Sequence, residues 1–145
     1  MKRIILLALI MCASVVNVAY AADKKHVLSI AEAMQTEDFK ASLNAGVKFY
    51  FGGQSFPTPV SQMGERVTNK KTNAFNKSDR QACEWVLLSA LIALQDSAVA
   101  AGGNAVVNIE SYYKRNVFSS EVEYECHTGT FIAGVALKGD VVRLP

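Results

Sequence analysis

Hydrophobic and polar residues are arranged in three ways along this chain, and each predicts a different element. Residues 4–18 are almost wholly apolar behind Lys2 and Arg3. Residues 79–101 carry the strongest helical signal: Ser78 is placed as N-cap, Gln81 completes a capping box, and Gly102-Gly103 supplies the stop. From Trp85 to Leu94 this helix is apolar nearly all round. A helix with one solvated face does not look like that, so it is either covered on two sides or part of a subunit contact. Downstream the period drops to two. Ala105, Val107 and Ile109 share a face; Val122, Tyr124 and Cys126 alternate with Glu121, Glu123, Glu125 and His127; Phe131, Ala133, Val135 and Leu137 share a third. Short connections at 116–120 and 128–129 predict an antiparallel meander, to which 140–144 adds an edge strand.

Upstream the signals weaken. Residues 27–43 read as a broken helix, with Ser29 and Glu32 as one capping box and Thr36 ahead of Glu37 and Asp38 as a second start. Phe39 and Leu43 then lie on one face at i, i+4 spacing. Ala45-Gly46 turns the chain into a strand at 47–51, with Val47, Phe49 and Phe51 on one side and Gly52-Gly53 ending it. Residues 54–77 show no period. Pro57, Pro59, Gly64 and many Asn, Thr and Lys residues make them a long irregular loop, either functional or an extended segment held along the sheet edge. The order predicts an α+β fold: one long helix packed on an antiparallel sheet of about four to five strands, the helix followed by a three-stranded meander.

The N-terminal run changes the compartment. Its basic start, short apolar core and Ala19-Tyr20-Ala21 have the layout of a secretory signal, so residues 1–21 are expected to be removed before Ala22, leaving 22–145 as a single domain. The run is shorter than the roughly 20 residues of a spanning helix, so stable membrane insertion is not expected. Cys12 follows Met11, not the small residue that lipid attachment requires, and reads as part of the apolar run. Lys2 and Arg3 account for the whole net charge of +2, so the remainder is formally neutral. A neutral domain has no electrostatic footprint for nucleic acid.

Two cysteines remain, Cys83 and Cys126, and an even count in an oxidising compartment favours a disulfide. The bond would close about forty residues, worth roughly 3–4 kcal/mol on the chain-entropy account. Cys126 lies on the apolar face of its strand, and Cys83 in the first turns of the long helix. Cys83 sits about 27 Å before the helix end. The next strand must therefore run back to about Tyr112, so that Cys126 pairs near Ser111 or Tyr113 across a hairpin centred near Ser119. A hairpin closing at Val117-Phe118 would leave the sulfurs too far apart.

The segment 98–109, an Ala-rich helix end running through Gly102-Gly103-Asn104-Ala105-Val106-Val107 into a strand, resembles two small α+β groups. One is an oligomeric family described as heavy-metal-binding; the other is the outer-membrane lipoprotein that senses envelope stress in the Rcs phosphorelay. Over more of the chain, Lys48-Phe49-Tyr50-Phe51-Gly52, the stretch 68–73 and Tyr124-Glu125-Cys126-His127 resemble exported bacterial proteins that often carry the name "excinuclease ATPase subunit". The shared Gly102, Gly103 and Asn104 form a fold motif: the glycines end the helix and permit a positive-φ turn, and Asn104 tolerates a left-handed conformation. The ATPase chemistry in that name has no residues here, because no Gly-x-x-x-x-Gly-Lys-Ser/Thr stretch exists. The lipid-attachment sequence and four-cysteine pattern of the stress sensor are also missing, so its function does not carry over.

Chemistry has little to attach to. Cys126 and His127 are neighbours on a strand and point to opposite sides, so they do not share an ion. A metal set of His127, Glu123 and Glu125 competes with a solvated acidic face partnered by Lys114 and Arg115. His26 and His127 are the only histidines, and no nucleophile stands in a recognisable setting, so no catalytic residue and no cofactor are assigned. The segment most like a contact surface is 69–77, where Lys70, Lys71 and Lys77 flank Phe75. Phe75 either anchors a partner or staples the loop onto the helix start near Ala82. The resulting expectation is a periplasmic or secreted, non-enzymatic binding or interaction protein. Its partner would be an envelope protein or a small ligand. The alternatives are a small-ligand or metal-binding oligomer and an enzyme of unrecognised type.

Overall fold

The computed structural model of the chain describes residues 23–43 and 46–145. The expected secretory segment 1–21, its expected cleavage before Ala22 and the expected turn at Ala45 lie outside the described residues. In chain order the elements are β1 (Lys24–Ser29), α1 (Ile30–Met34), α2 (Glu37–Ser42), β2 (Lys48–Phe51), β3 (Ser61–Asn73), α3 (Asp79–Ala101), β4 (Ala105–Ser111), a 3-10 turn (Tyr113–Arg115), β5 (Glu123–Thr128) and β6 (Ile132–Arg143). The fold is α+β: one long helix on a curled, mixed sheet of six strands.

β6 is the spine of that sheet. Along one edge it pairs with β3 from Ser61↔Arg143 to Asn73↔Ile132. Along the other, β4 takes its C-terminal half and β5 its N-terminal half, at His127↔Gly134 and Thr128↔Ala133. β2 continues beyond β4 in parallel, and β1 continues beyond β5 in antiparallel sense. The predicted meander is therefore not the observed order, because β6 stands between β5 and β4. The wholly antiparallel sheet is corrected as well. β4 turns away at Tyr112, where the 3-10 turn intervenes, and its backbone meets the segment before β5 at the Ser111↔Phe118 bridge.

α3 begins and ends where its caps place it. The Ser78 side chain accepts from the Gln81 amide, the Gln81 side chain closes the box, and Gly102 adopts the left-handed conformation at φ 80°. Most of its apolar surface is covered within the chain, with Trp85 and Val99 left exposed. Val86, Leu87, Leu91 and Leu94 pack with Val106, Ile109, Val135 and Leu137 of the sheet, while Ile30, Ala33 and Phe39 from α1 and α2 join the same core. The broken-helix reading of 27–43 holds from Ser29 onward, where the Ser29 hydroxyl accepts from the Glu32 amide. Before it, Val27 and Leu28 belong to β1, and the Glu32 carboxylate turns to Arg80.

The long loop is the largest correction. Residues 61–73 form the longest strand of the sheet, so the extended-segment alternative is the observed one. Only Thr68 of this strand is buried, which is why its sequence shows no apolar period. Before it, 54–60 runs past the outer face, where Phe56 meets Tyr50 at 5.6 Å between centroids and packs on the cluster of Ala105, Val107 and Val142. Asn108 explains a second departure. Its φ of 53° sits in a bulge of β4, so Val107 joins the outer cluster while Ile109 faces α3. The expected common face of Ala105, Val107 and Ile109 breaks there.

Cys83 and Cys126 are bonded, with Cα atoms 5.9 Å apart. The route differs from the predicted hairpin: Cys126 pairs with His26 of β1, and no strand ladder joins it to Ser111. Proximity to Ser111 survives through a side chain, because its buried hydroxyl accepts from the Glu125 amide at 2.9 Å.

Gly102, Gly103 and Asn104 hold the crossing of α3, β2 and β6 as a group, by different means from those expected. Gly102 alone has positive φ; a Cβ on Gly103 would stand 2.8 Å from Val141 Cγ1 and 2.9 Å from the Val142 carbonyl, so close approach is its requirement. Asn104 is not left-handed. Its side chain instead clamps Leu144, donating to the carbonyl at 3.1 Å and accepting from the amide at 2.7 Å.

Candidate functional site

The contact segment sits where β3 ends. Lys70 and Lys71 are opposite Val135 and Gly134 of β6, and neither forms an ion pair among the described residues. The chain then closes a tight turn. The Asn73 side chain accepts from the Phe75 amide at 2.8 Å, Asn76 takes a φ of 58°, and the Lys77 ammonium donates to the Asn73 carbonyl. The turn points Ala74 inward, against the core, and Phe75 outward. The staple onto Ala82 is therefore not made by Phe75, which is 58% exposed and lies 6.1 Å from Phe131, itself 59% exposed. Together with Ile132 and Lys71 these rings line a shallow groove. Phe131, expected on the apolar face with Ala133 and Val135, is exposed instead, and only the β3–β6 pairing brings it and Ile132 to Phe75.

Beside the groove lies a smaller recess on the outer face of the sheet, sharing Lys71 and Ile132 with it. Gly134 separates Lys71 from His127 across the strands and leaves the space between them open. His127 stacks on Tyr113, with centroids 3.5 Å apart and planes 10° from parallel. Its Nδ1 meets Asp23 Oδ1 at 2.8 Å and its Nε2 meets Glu125 Oε1 at 2.5 Å. The Tyr113 hydroxyl donates to Asp23 at 3.0 Å, and Lys114 lies 3.5 Å from the same carboxylate. Burial opposes ionisation of Asp23, but the His127 and Tyr113 hydrogen bonds and the charges of His127 and Lys114 outweigh it and hold the carboxyl below its ordinary value. Burial, then the Asp23 carboxylate, pushes the Tyr113 phenol up.

The structure assembles the metal set His127, Glu123 and Glu125 only in part. Both ring nitrogens of His127 are directed at carboxylates, of Asp23 and Glu125, and Glu123 is exposed. No group of three or more His, Cys, Asp or Glu among the described residues is arranged to hold an ion. The structure does bring Glu125 to His127, but as its hydrogen-bond partner. The acidic face is not simply solvated either: Glu125 is buried and its charge is met by Lys25 at 3.5 Å, in place of the expected Lys114 and Arg115. Asp23, Lys25 and Tyr113 have no sequence signal that joins them to β5; the β1–β5 ladder and the 3-10 turn do so.

Two other places carry functional side chains. His26 Nε2 meets Thr128 Oγ1 at 2.8 Å and Asp79 Oδ2 at 3.5 Å. Both oxygens approach the same nitrogen, so the acid does not orient the imidazole through its other side as a nucleophile relay requires. A groove between α2 and α3 is floored by Phe39 and Leu88, walled by the half-exposed Trp85, and rimmed by Asp38, Lys77 and Glu84. Comparison with known proteins adds no relative: no family model matches the chain, no curated protein matches it, and no solved structure matches it.

Proposed function

We propose that the protein is an exported, non-enzymatic interaction module of the cell envelope, working in the periplasm or outside the cell, which engages a partner protein at the β3–β6 end. The observation that carries this reading is the exposed Phe75–Phe131 pair with Ile132, flanked by Lys70 and Lys71, which have no counter-charge among the described residues. Aromatic rings anchor interfaces because they bury a large area at small cost in side-chain entropy. The Cys83–Cys126 bond fits an oxidising compartment, and the apolar run at 4–18 fits export. The resemblance to envelope proteins through Gly102-Gly103-Asn104 agrees with that compartment.

The test is fractionation joined to crosslinking in the living cell. A photoreactive amino acid placed at Ile132 is expected to trap a discrete partner outside the cytoplasm, and Phe75→Ala to abolish the product. The purified protein should have lost residues 1–21, and its two thiols should alkylate only after reduction. A full-length cytoplasmic protein with free thiols, or no crosslink at position 132, counts against the reading. The α2–α3 groove, with Trp85 over an apolar floor, favours the small-ligand alternative, for which quenching of Trp85 fluorescence is the direct readout.

A further inference from the structure

We infer that the free edge of β3 takes up an extended, acidic segment of a partner protein as an additional strand; this rests on the reading of the protein as an interaction module and specifies its mode. β3 is thirteen residues long and pairs with β6 alone. Its backbone phase follows from the end of the ladder, where the Ala74 amide donates to the Phe131 carbonyl at 2.8 Å in register with Asn73↔Ile132. Amides alternate in direction along an antiparallel strand. Those of Thr68, Lys70 and Thr72 therefore face β6, and those of Val67, Asn69 and Lys71 face outward. The outward amides and carbonyls of these three residues have no partner among the described hydrogen bonds. A row of this kind is a template for strand addition, in which main-chain bonds give affinity and side-chain pockets give selectivity.

Charge decides the occupant. β3 carries Arg66, Lys70 and Lys71 against Glu65 alone, and Glu65 already faces Lys138 at 3.9 Å. Successive residues leave opposite faces, so Lys70 and Lys71 offer a cation on each side of an added strand. A second copy of this chain brings the same surplus and is disfavoured; lysines on an edge are a common guard against self-pairing. An acidic segment meets complementary charge instead. At the end of the strand the Phe75–Phe131–Ile132 groove stands ready for one apolar side chain of that segment.

The probe is a blocked ten-residue peptide alternating Glu with Val and Phe, compared with a Lys-for-Glu version and with one N-methylated on alternate amides. Saturable binding of the Glu peptide to the full mature protein is expected, with slowed amide exchange at Val67, Asn69 and Lys71. Asn69→Pro removes one outward donor and leaves the β6 ladder intact, and should weaken binding at least tenfold, as should Lys70→Glu with Lys71→Glu. If Asn69→Pro disturbs folding, the N-methylated peptide asks the same question of the unaltered protein. Failure of the Glu peptide to bind, equal binding of the N-methylated or Lys peptide, or self-association through β3 overturns the inference. A crosslink at Ile132 that survives any of those results leaves the interaction module standing and removes strand addition alone.

Discussion

Tyr124 is fully buried, and its hydroxyl has no hydrogen-bond partner among the described residues. Burial, with Glu84 nearby, pushes the phenol far up, so the group stays neutral and its cost is that of an unsatisfied hydroxyl. Tyr124→Phe is therefore expected to raise stability by about 1 kcal/mol, seen as a melting temperature higher by about 3–5 °C. A lower melting temperature would show that the hydroxyl is satisfied. Asp23 makes a prediction in pH. Its folded-state pKa is depressed below 3.8, so its contribution is fully present above that value and is lost as pH falls through the folded one. Asp23→Asn should lower stability at neutral pH, and the gap to the wild type should begin to close only as the pH falls below 3.8, in chemical denaturation at a series of pH values. A gap that persists into acid would mean that Asp23 acts through packing. At this scale the sequence was readable where one residue answers to its own neighbours, as at Ser78, Gln81 and Gly102. Asn104 was misread because its partner, Leu144, lies forty residues away.

Among the elements, α3 was legible to the residue because caps and composition are local signals. The β5–β6 hairpin was legible in part: the turn at 128–129 is short, but β6 runs unbroken and central through residues 140–143, which read as a separate edge strand. β3 was not legible, since an edge strand exposes most of both faces and has no reason to alternate. The order of the strands was also out of reach: nothing in β4, β5 and β6 taken singly says that the last of them lies between the other two. The candidate site shares this limit. Lys70, Lys71, Phe75 and Lys77 were recognisable as a cluster, while Phe131, Tyr113 and Asp23 reach it only through pairing. The disulfide belongs to this scale because it ties the first turns of α3 to β5, whose only ladder to β6 is two residue pairs. Cys83→Ser with Cys126→Ser should cost about 3–4 kcal/mol in denaturant unfolding. The loss should appear first as faster amide exchange in β1 and β5, with β3, β4 and β6 following later. Uniform acceleration across the sheet would show that the bond has no local role.

For the molecule as a whole, the coverage of α3 bears on its oligomeric state. The helix is long and apolar enough to cross a membrane, with a mean hydropathy of 1.4, yet most of its apolar residues, Trp85 and Val99 excepted, face β-strands and the short helices of the same chain. Sedimentation at micromolar concentration is thus expected to give the mass of one chain; a stable dimer or ring would point to the Trp85 groove or the β3 edge as the contact. The spine position of β6 has a further consequence, for how the chain comes into being. Before Ile132 leaves the ribosome, the strands already made can pair only as two separate ribbons, β1 with β5 and β2 with β4, and β3 has no neighbour at all. Isolated two-stranded ribbons are marginal in water. Synthesis is thus expected to deliver a chain that stays threadable until β6 arrives, which is the condition a polypeptide must meet to pass lengthwise through a narrow channel.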